Sequence, residues 1–233
     1  MIDVHIHILP GVDDGPGELA EAVSMAARSA RDGVRMLVAT PHAFHSLFDV
    51  TAEARERAVA ELGAELERRQ IPIRILPGFE CQVVDDLTAR LACDSRYLLP
   101  SVAGDLLGSG RHVLVELGED IPFSCILSLQ FDLKRLGVTP ILAHPERHPQ
   151  AVRHRRSVEA FVERGGKLQI TAAALLGREG WRERRFCERA MRDGLLAAVA
   201  SDAHAEDETG LLGKALARAR KLIGPAADRL FGV

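Results

Sequence analysis

The strongest constraint in this chain is a rhythm. Short apolar, β-branched runs recur from end to end, and each is followed by a stretch with helical spacing. The runs that read as strands are Ile2 to Ile8, Arg35 to Ala39, Ile73 to Leu76, His112 to Leu117, Thr139 to Ala143, Lys167 to Thr171 and Leu196 to Ala200. The first intervening helix places Leu19, Ala22, Val23, Ala26, Ala27 and Ala30 on one face and stops at Asp32-Gly33. A second begins at Thr51, a good N-cap type, and runs to about Arg69, where Ile71-Pro72 ends it. Further helices are expected over Phe123 to Leu136, Arg153 to Arg164, Glu179 to Arg192 and Leu211 to Leu222, two of them stopped by glycines at 165 and 194. Seven such units in 233 residues, with no long Pro/Gly/Ser linker, predict a single α/β domain over residues 1–233 with a parallel sheet. Units of roughly 25 to 40 residues fit a distorted (β/α)7 TIM-like barrel better than an open doubly wound sheet, which stays as the alternative.

Composition narrows the partners. Thirty basic residues against thirty-three acidic ones leave a net charge of -3, which argues against a dedicated nucleic-acid binder. An apolar content of 47% without low-complexity tracts excludes intrinsic disorder. The sequence shows no signal peptide and no apolar run of membrane-spanning length, so no stable membrane insertion is expected. Cys81, Cys93, Cys125 and Cys187 form no CxxC pair and read as reduced thiols, which gives a cytoplasmic expectation.

Active sites of parallel α/β folds lie at the C-terminal ends of the strands. Those ends deliver His5-Ile6-His7 with Asp13-Asp14 just beyond, then Thr40-Pro41-His42, Glu80, Glu116, Ala143-His144 and Ser201-Asp202-Ala203-His204. Residues i and i+2 of a strand share a side, so His5 and His7 can converge on one ion, as can Asp202 and His204 if the backbone stays extended. Imidazole and carboxylate donors without thiolate suit Mn, Fe or Zn. Four carboxylates (Asp14, Glu80, Glu116, Asp202) and five histidines are too many ligands for one ion, so two or three divalent ions sharing a bridging carboxylate are expected. Taken singly, each piece has an ordinary reading. An HxH pair arises by chance, Asp14 suits a turn, and Glu80 suits a surface acid opening a helix. Their joint placement at successive strand ends is what points to a metal site.

These residues carry a family resemblance. His5-Ile6-His7, Asp14, Thr40-Pro41-His42, Glu80, Ala143-His144 and Ser201-Asp202-Ala203-His204 resemble the PHP (polymerase and histidinol phosphatase) metallohydrolases. More narrowly, Met1 to Leu9, Val12-Asp13-Asp14-Gly15-Pro16, Cys93 to Leu99 and His144-Pro145-Glu146-Arg147 are similar to the bacterial manganese-dependent protein-tyrosine phosphatases of capsule and exopolysaccharide operons. The likeness runs from the first residue to about Leu212. It implies a distorted (β/α)7 barrel with three divalent ions, most readily Mn. His5, His7, Glu80 and Asp202 would hold the first. Glu80 would bridge to a second held with Glu116 and His144, and Asp14, His42 and His204 would hold the third. Arg147 matches an arginine that grips phosphate, a task that suits a guanidinium. One departure stands out: the family arginine that follows the DxH motif is absent from the acidic segment Ala205-Glu206-Asp207-Glu208-Thr209.

The implied reaction is attack of a metal-bridging hydroxide on a phosphotyrosine, on the tail of a polysaccharide-biosynthesis tyrosine kinase. A cysteine phosphatase would need an arginine six residues after its nucleophile. Those positions hold Leu87, Leu99, Phe131 and Asp193, so that mechanism is out. A small-molecule phosphatase such as histidinol-phosphate phosphatase is the runner-up, and a metal-binding module without chemistry is the third reading. The subgroup assembles into rings through its first helix, which implies a homo-oligomer unless Ala20 to Ala30 simply pack inward. Of the remaining candidates, His45 reads as a solvated loop residue in preference to one at the rim of the pocket, and His112 reads as structural. His148 and Arg153 to Arg156 read as a solvated basic face, and Trp181 as packing.

Overall fold

The computed structural model of the protein describes residues 1–48, 50–101, 104–107, 110–118 and 120–233. Its strands are β1 (Ile2–Ile6), β2 (Met36–Ala39), β3 (His42–Ala43), β4 (Arg74–Pro77) and β5 (Glu80–Gln82), then β6 (Arg111–Glu116), β7 (Val138–Ala143), β8 (Lys167–Thr171) and β9 (Leu196–Ala200). The helices are α1 (Leu19–Arg31), α2 (Ala52–Arg68), α3 (Leu87–Cys93), α4 (Gly104–Leu107) and α5 (Phe123–Arg135), then α6 (Pro149–Arg153), α7 (Arg155–Glu163), α8 (Ala172–Leu175), α9 (Trp181–Arg192) and α10 (Leu212–Ile223). All seven expected strands are present. The expected end at Ile8 is too late, because β1 stops at Ile6.

Among the described residues every strand pair is parallel, in two sheets ordered β1-β2-β4 and β3-β5-β6-β7-β8-β9. β2 and β3 belong to one passage of chain, as do β4 and β5, so the order follows a seven-stranded barrel broken within its second and third passages. The breaks have local causes. Pro41 has no N–H to donate to a ladder. At Gly78 an added Cβ would lie 2.6 Å from Val38 Cγ1, so only glycine lets this passage press against its neighbour. The last passage returns to the first through Asp202 N–H to His5 O (2.8 Å) and His7 N–H to Ala203 O (3.0 Å).

The helices form for the reasons the sequence suggests. Thr51 accepts from Ala54 N at the start of α2, and Gly165 and Gly194 take positive φ just past α7 and α9. β6 is buried over its four middle residues without alternation, as a strand covered on both faces should be. One apolar cluster joins helices to the outer sheet faces. A smaller one joins Val4, Val38, Leu114, Ile141, Ala198 and Ala200 from five different strands. No helix among the described residues is long and apolar enough to cross a membrane.

Candidate metal centre

β1 carries His5, and the chain just past its end carries His7, into a fully buried position. His5 Nδ1–H donates to Gln169 Oε1 at 2.8 Å, from β8, and His7 Nδ1–H donates to Asp13 Oδ2 at 2.8 Å. Each ring thereby has one nitrogen committed, which fixes the tautomer that leaves Nε2 free for a ligand. The two Nε2 atoms lie 3.2 Å apart, and both face Glu80 Oε2 at 3.4 Å and Asp202 Oδ1 at 3.0 and 3.5 Å. His204 repeats the pattern: Nδ1 sits 3.1 Å from its acceptor Asp202 O, and Nε2 faces Asp14 Oδ1 at 3.4 Å.

The remaining passages complete the ring. β5 brings in Glu80, which is 1% exposed, so the reading of this residue as a surface acid is overturned. β3 brings in His42, whose Nδ1 is 3.3 Å from Glu80 Oε2 and 3.8 Å from Glu116 Oε2. After β7, His144 Nε2 reaches Glu80 Oε1 at 2.9 Å and Glu116 Oε1 at 3.8 Å. Asp14, on the loop after β1, is the most exposed of the nine candidates and faces His7, His42 and His204.

Among the described residues, donor atoms within 4.8 Å of one another form four overlapping groups. They are His7, Asp14, His42 and His204; His5, His144 and Asp202; His5, His7 and Glu80; and His42, Glu80 and Glu116. All nine sequence-derived metal candidates are in these groups. Asp202 and His204 do not converge, however. The backbone is not extended there: Asp202 has φ +53, which turns the two side chains into different groups and stacks His204 on His7 at 4.0 Å. His144 is also left-handed, with φ +30. Such backbone costs about 1–3 kcal/mol per residue and clusters at functional sites.

Whether ions suit this centre can be judged from its own atoms. His42 Nδ1 is buried and makes no hydrogen bond among the described residues, an uncommon state for a ring nitrogen. Burial would lower the pKa of His5, but the charges of Glu80 and Asp202 outweigh it and hold the ring well above its ordinary value. Burial likewise opposes protonation of His7, yet hydrogen bonds to Asp13 and Glu80 bring it to about 10. Glu80 and Asp202 are held well below the usual carboxylate range against the cost of burial, mainly by His5. Burial raises Glu116 to about 7, and the Glu80 charge adds to the rise. Protons on His5 and His7 are thus the counter-charge of the metal-free centre, in the places divalent ions would take.

Beside the centre is a cleft of about 620 Å³ lined by Arg147, Arg178, Glu179, Asp202 and His204. Arg147 donates through Nε and Nη2 to Glu179 at 3.1 and 2.8 Å, and through Nη1 to Asp202 Oδ2. Arg178 makes no ion pair among the described residues. The acidic segment after the DxH motif forms a single turn, and Glu208 Oε2 accepts from His204 N at 2.7 Å.

Sequence reasoning passed over Asp13, Gln169, Glu179 and Glu208. Gln169 had a signal, a polar residue inside the apolar run Leu168 to Ile170, and it is fully buried. Three ordinary readings also fail. His148 is buried and caps α6, accepting from Ala151 N at Nδ1 and donating to Ile121 O. His45 is a loop residue but only half exposed, and it stacks on His42 with centroids 4.9 Å apart, which favours the rim of the pocket over a solvated position. Trp181 is 70% exposed and is not packing.

A family model described as "Capsular polysaccharide synthesis, CpsB/CapC" matches residues 1–229. The tyrosine-protein phosphatase YwqE of Bacillus subtilis (strain 168) is 34% identical over 204 residues, covering 88% of this chain and 77% of that protein. Among solved structures, a chain from the crystal structures of YwqE from Bacillus subtilis and CpsB from Streptococcus pneumoniae, described as unique metal-dependent tyrosine phosphatases, superposes with a TM-score of 0.86. It is 32% identical, over 97% of this chain and 89% of that one. A putative histidinol phosphatase from Listeria monocytogenes, at 9% identity and a TM-score of 0.51 over 89% of this chain and 97% of that one, shares the fold alone.

Proposed function

This chain belongs to the capsular polysaccharide synthesis family CpsB/CapC, and from that premise we propose that it is a metal-dependent phosphatase that hydrolyses phosphotyrosine on proteins. The observation that carries the reading is the gathering of nine imidazole and carboxylate side chains from separate strand ends into four overlapping donor groups. We assign His5, His7, Glu80 and Asp202 to one ion, Glu80, Glu116 and His144 to a second, and Asp14, His42 and His204 to a third. Manganese is our choice of metal. The membership of Glu80 in two donor groups supports its role as the bridge, and the unpartnered Nδ1 of His42 supports a ligand beyond the protein. The donor groups depart from this assignment in three respects: His7 also joins the Asp14 group, His42 also joins Glu80 and Glu116, and His144 is grouped with His5 and Asp202 rather than with Glu80 and Glu116.

Divalent ions in such a centre supply an acidified water and neutralise charge on the phosphoryl oxygens. The chain's own residues do the rest. Arg147 offers a planar donor fork to the phosphate, oriented in advance by Glu179 and Asp202. Arg178 lines the same cleft and adds a second cation within reach of the substrate. Gln169 and Asp13 hold His5 and His7 in the tautomer that binds. Four carboxylates contribute -4, which two divalent ions balance and three exceed, so a dianionic ester meets no net repulsion. Cys81 is buried, and burial pushes its thiol up, the opposite of what a thiolate nucleophile needs.

The substrate we propose is the tail of a polysaccharide-biosynthesis tyrosine kinase, met in the cytoplasm, where the free thiols of this chain would stay reduced. The test compares phosphate release from a phosphotyrosine peptide and from histidinol phosphate, with and without added Mn. Metal-dependent turnover that favours the peptide and is lost in His42→Ala supports the reading. A preference for histidinol phosphate by orders of magnitude refutes it.

A further inference from the structure

On the far side of α9 from the catalytic cleft is a second cavity, of about 300 Å³, between α9 and the α6–α7 segment. Its floor is apolar, with Val152, Val158 and Phe186, and its rim carries Trp181, Arg182, Arg185 and Arg189. The lining holds four arginines, counting Arg155, against one aspartate, Asp193. Arg155 is already matched, since it pairs with both Glu159 and Asp193. Arg182, Arg185 and Arg189 make no ion pair among the described residues; Arg182 only stacks over the Trp181 ring, at 5.6 Å. All three are exposed, as is the indole. A chain with a net charge of -3 therefore concentrates unmatched positive charge around one exposed aromatic ring.

We propose that this groove docks an acidic peptide segment of the protein substrate, next to the phosphotyrosine that enters the cleft. The inference rests on the phosphatase reading for the second half of that statement only. Charge complementarity selects the partner: carboxylates for the three arginines and an apolar side chain for the indole and the floor. Position selects its role. Glu179, which holds Arg147, is two residues from Trp181, a Cα separation of at most about 7.6 Å. An extended peptide advances about 3.3 Å per residue, so a few residues beyond the phosphotyrosine reach the groove. An exposed ion pair adds a few-fold at most, so the three arginines together contribute on the order of 10-fold in affinity, weakened by salt.

Trp181 is the only tryptophan in the chain, so its fluorescence reports on the groove alone. The first arm titrates the metal-loaded protein with an unphosphorylated Asp/Glu-rich peptide, a neutral peptide of equal length, a DNA oligonucleotide and anionic phospholipid vesicles. A saturable, salt-sensitive change in Trp181 emission that is strongest with the acidic peptide supports the proposal. No change with that peptide, or a stronger response to DNA or vesicles, overturns it. The second arm measures kcat and KM for acidic and neutral phosphotyrosine peptides and for p-nitrophenyl phosphate in the triple variant Arg182→Glu, Arg185→Glu, Arg189→Glu. KM for the acidic peptide should rise about 10-fold with kcat unchanged, while the other two substrates stay within about twofold. An equal loss on all three substrates overturns docking. If the wild type turns over none of them while Trp181 still titrates with the acidic peptide, the phosphatase reading fails and the groove stands.

Discussion

Arg147 donates through Nη1 to Asp202 Oδ2, so the residue assigned to phosphate is tied to a carboxylate assigned to metal. The other edge of the same guanidinium is held by Glu179, and Glu179 in turn accepts from Thr171 Oγ1 at 3.0 Å. The fork is thus fixed before substrate arrives. Lysine keeps the charge but has no planar fork to be held on both edges. Arg147→Lys should lower kcat/KM for a phosphotyrosine peptide about 10-fold, and Arg147→Ala about 100-fold. Steady-state kinetics alongside metal analysis checks this. Equal activity of the lysine variant and the wild type would contradict it.

Asp13 is not a proposed ligand, yet it accepts from His7 Nδ1 at 2.8 Å and from His42 N at 3.2 Å. Loss of such an orienting partner typically weakens metal binding by about 10- to 100-fold. Asp13→Ala should show that loss in a competition titration against a chelator, with the fold intact by circular dichroism.

Most of the fold was legible because apolar period and helix stops are local properties. The breaks at Pro41 and Gly78 were not, since a strand passage divides there only when its neighbour presses against it. At the centre, His5 and His7 were readable from the two-residue period of a strand. The same rule misled at Asp202 and His204, where the left-handed backbone at Asp202 sends them to different donor groups. Gln169 meets His5 across 164 positions of chain, and Glu179 meets Arg147 across 32. No local pattern encodes such pairings. Trp181, within Gly180-Trp181-Arg182, reads as packing in the sequence, and only its exposure in the fold shows otherwise.

Metal loading should release protons. In the metal-free centre His5 is held well above its ordinary value and His7 at about 10, so both carry a proton at neutral pH. Ligation needs both rings unprotonated at Nε2, so each ion entering this part of the centre displaces protons, and affinity falls as pH falls. Calorimetry of Mn binding in buffers of different ionisation enthalpy measures the release at pH 7. Binding without proton release would contradict the assignment of these two histidines.

Away from the centre, His112 sets an acid limit on stability. Burial, with Lys167 Nζ 3.1 Å from its Nε2, brings its pKa down to about 4 from an ordinary 6.5. Below pH 6.5 the unfolded chain binds a proton that the folded chain refuses. The stabilisation is therefore complete above pH 6.5 and is lost as pH falls towards 4, by on the order of 3 kcal/mol. Urea unfolding at pH 7 and pH 5 should show a smaller drop for His112→Gln than for the wild type.

Phosphotyrosine hydrolysis by this chain should depend on ions held by His5, His7, Asp14, His42, Glu80, Glu116, His144, Asp202 and His204. The most direct measurement titrates Mn into metal-depleted protein while bound ions are counted and phosphate release from a phosphotyrosine peptide is followed. Turnover should be absent at the start and rise with occupancy to a plateau at about two or three ions per chain. Full turnover with no bound ion, or stoichiometric binding without any turnover, would contradict the claim.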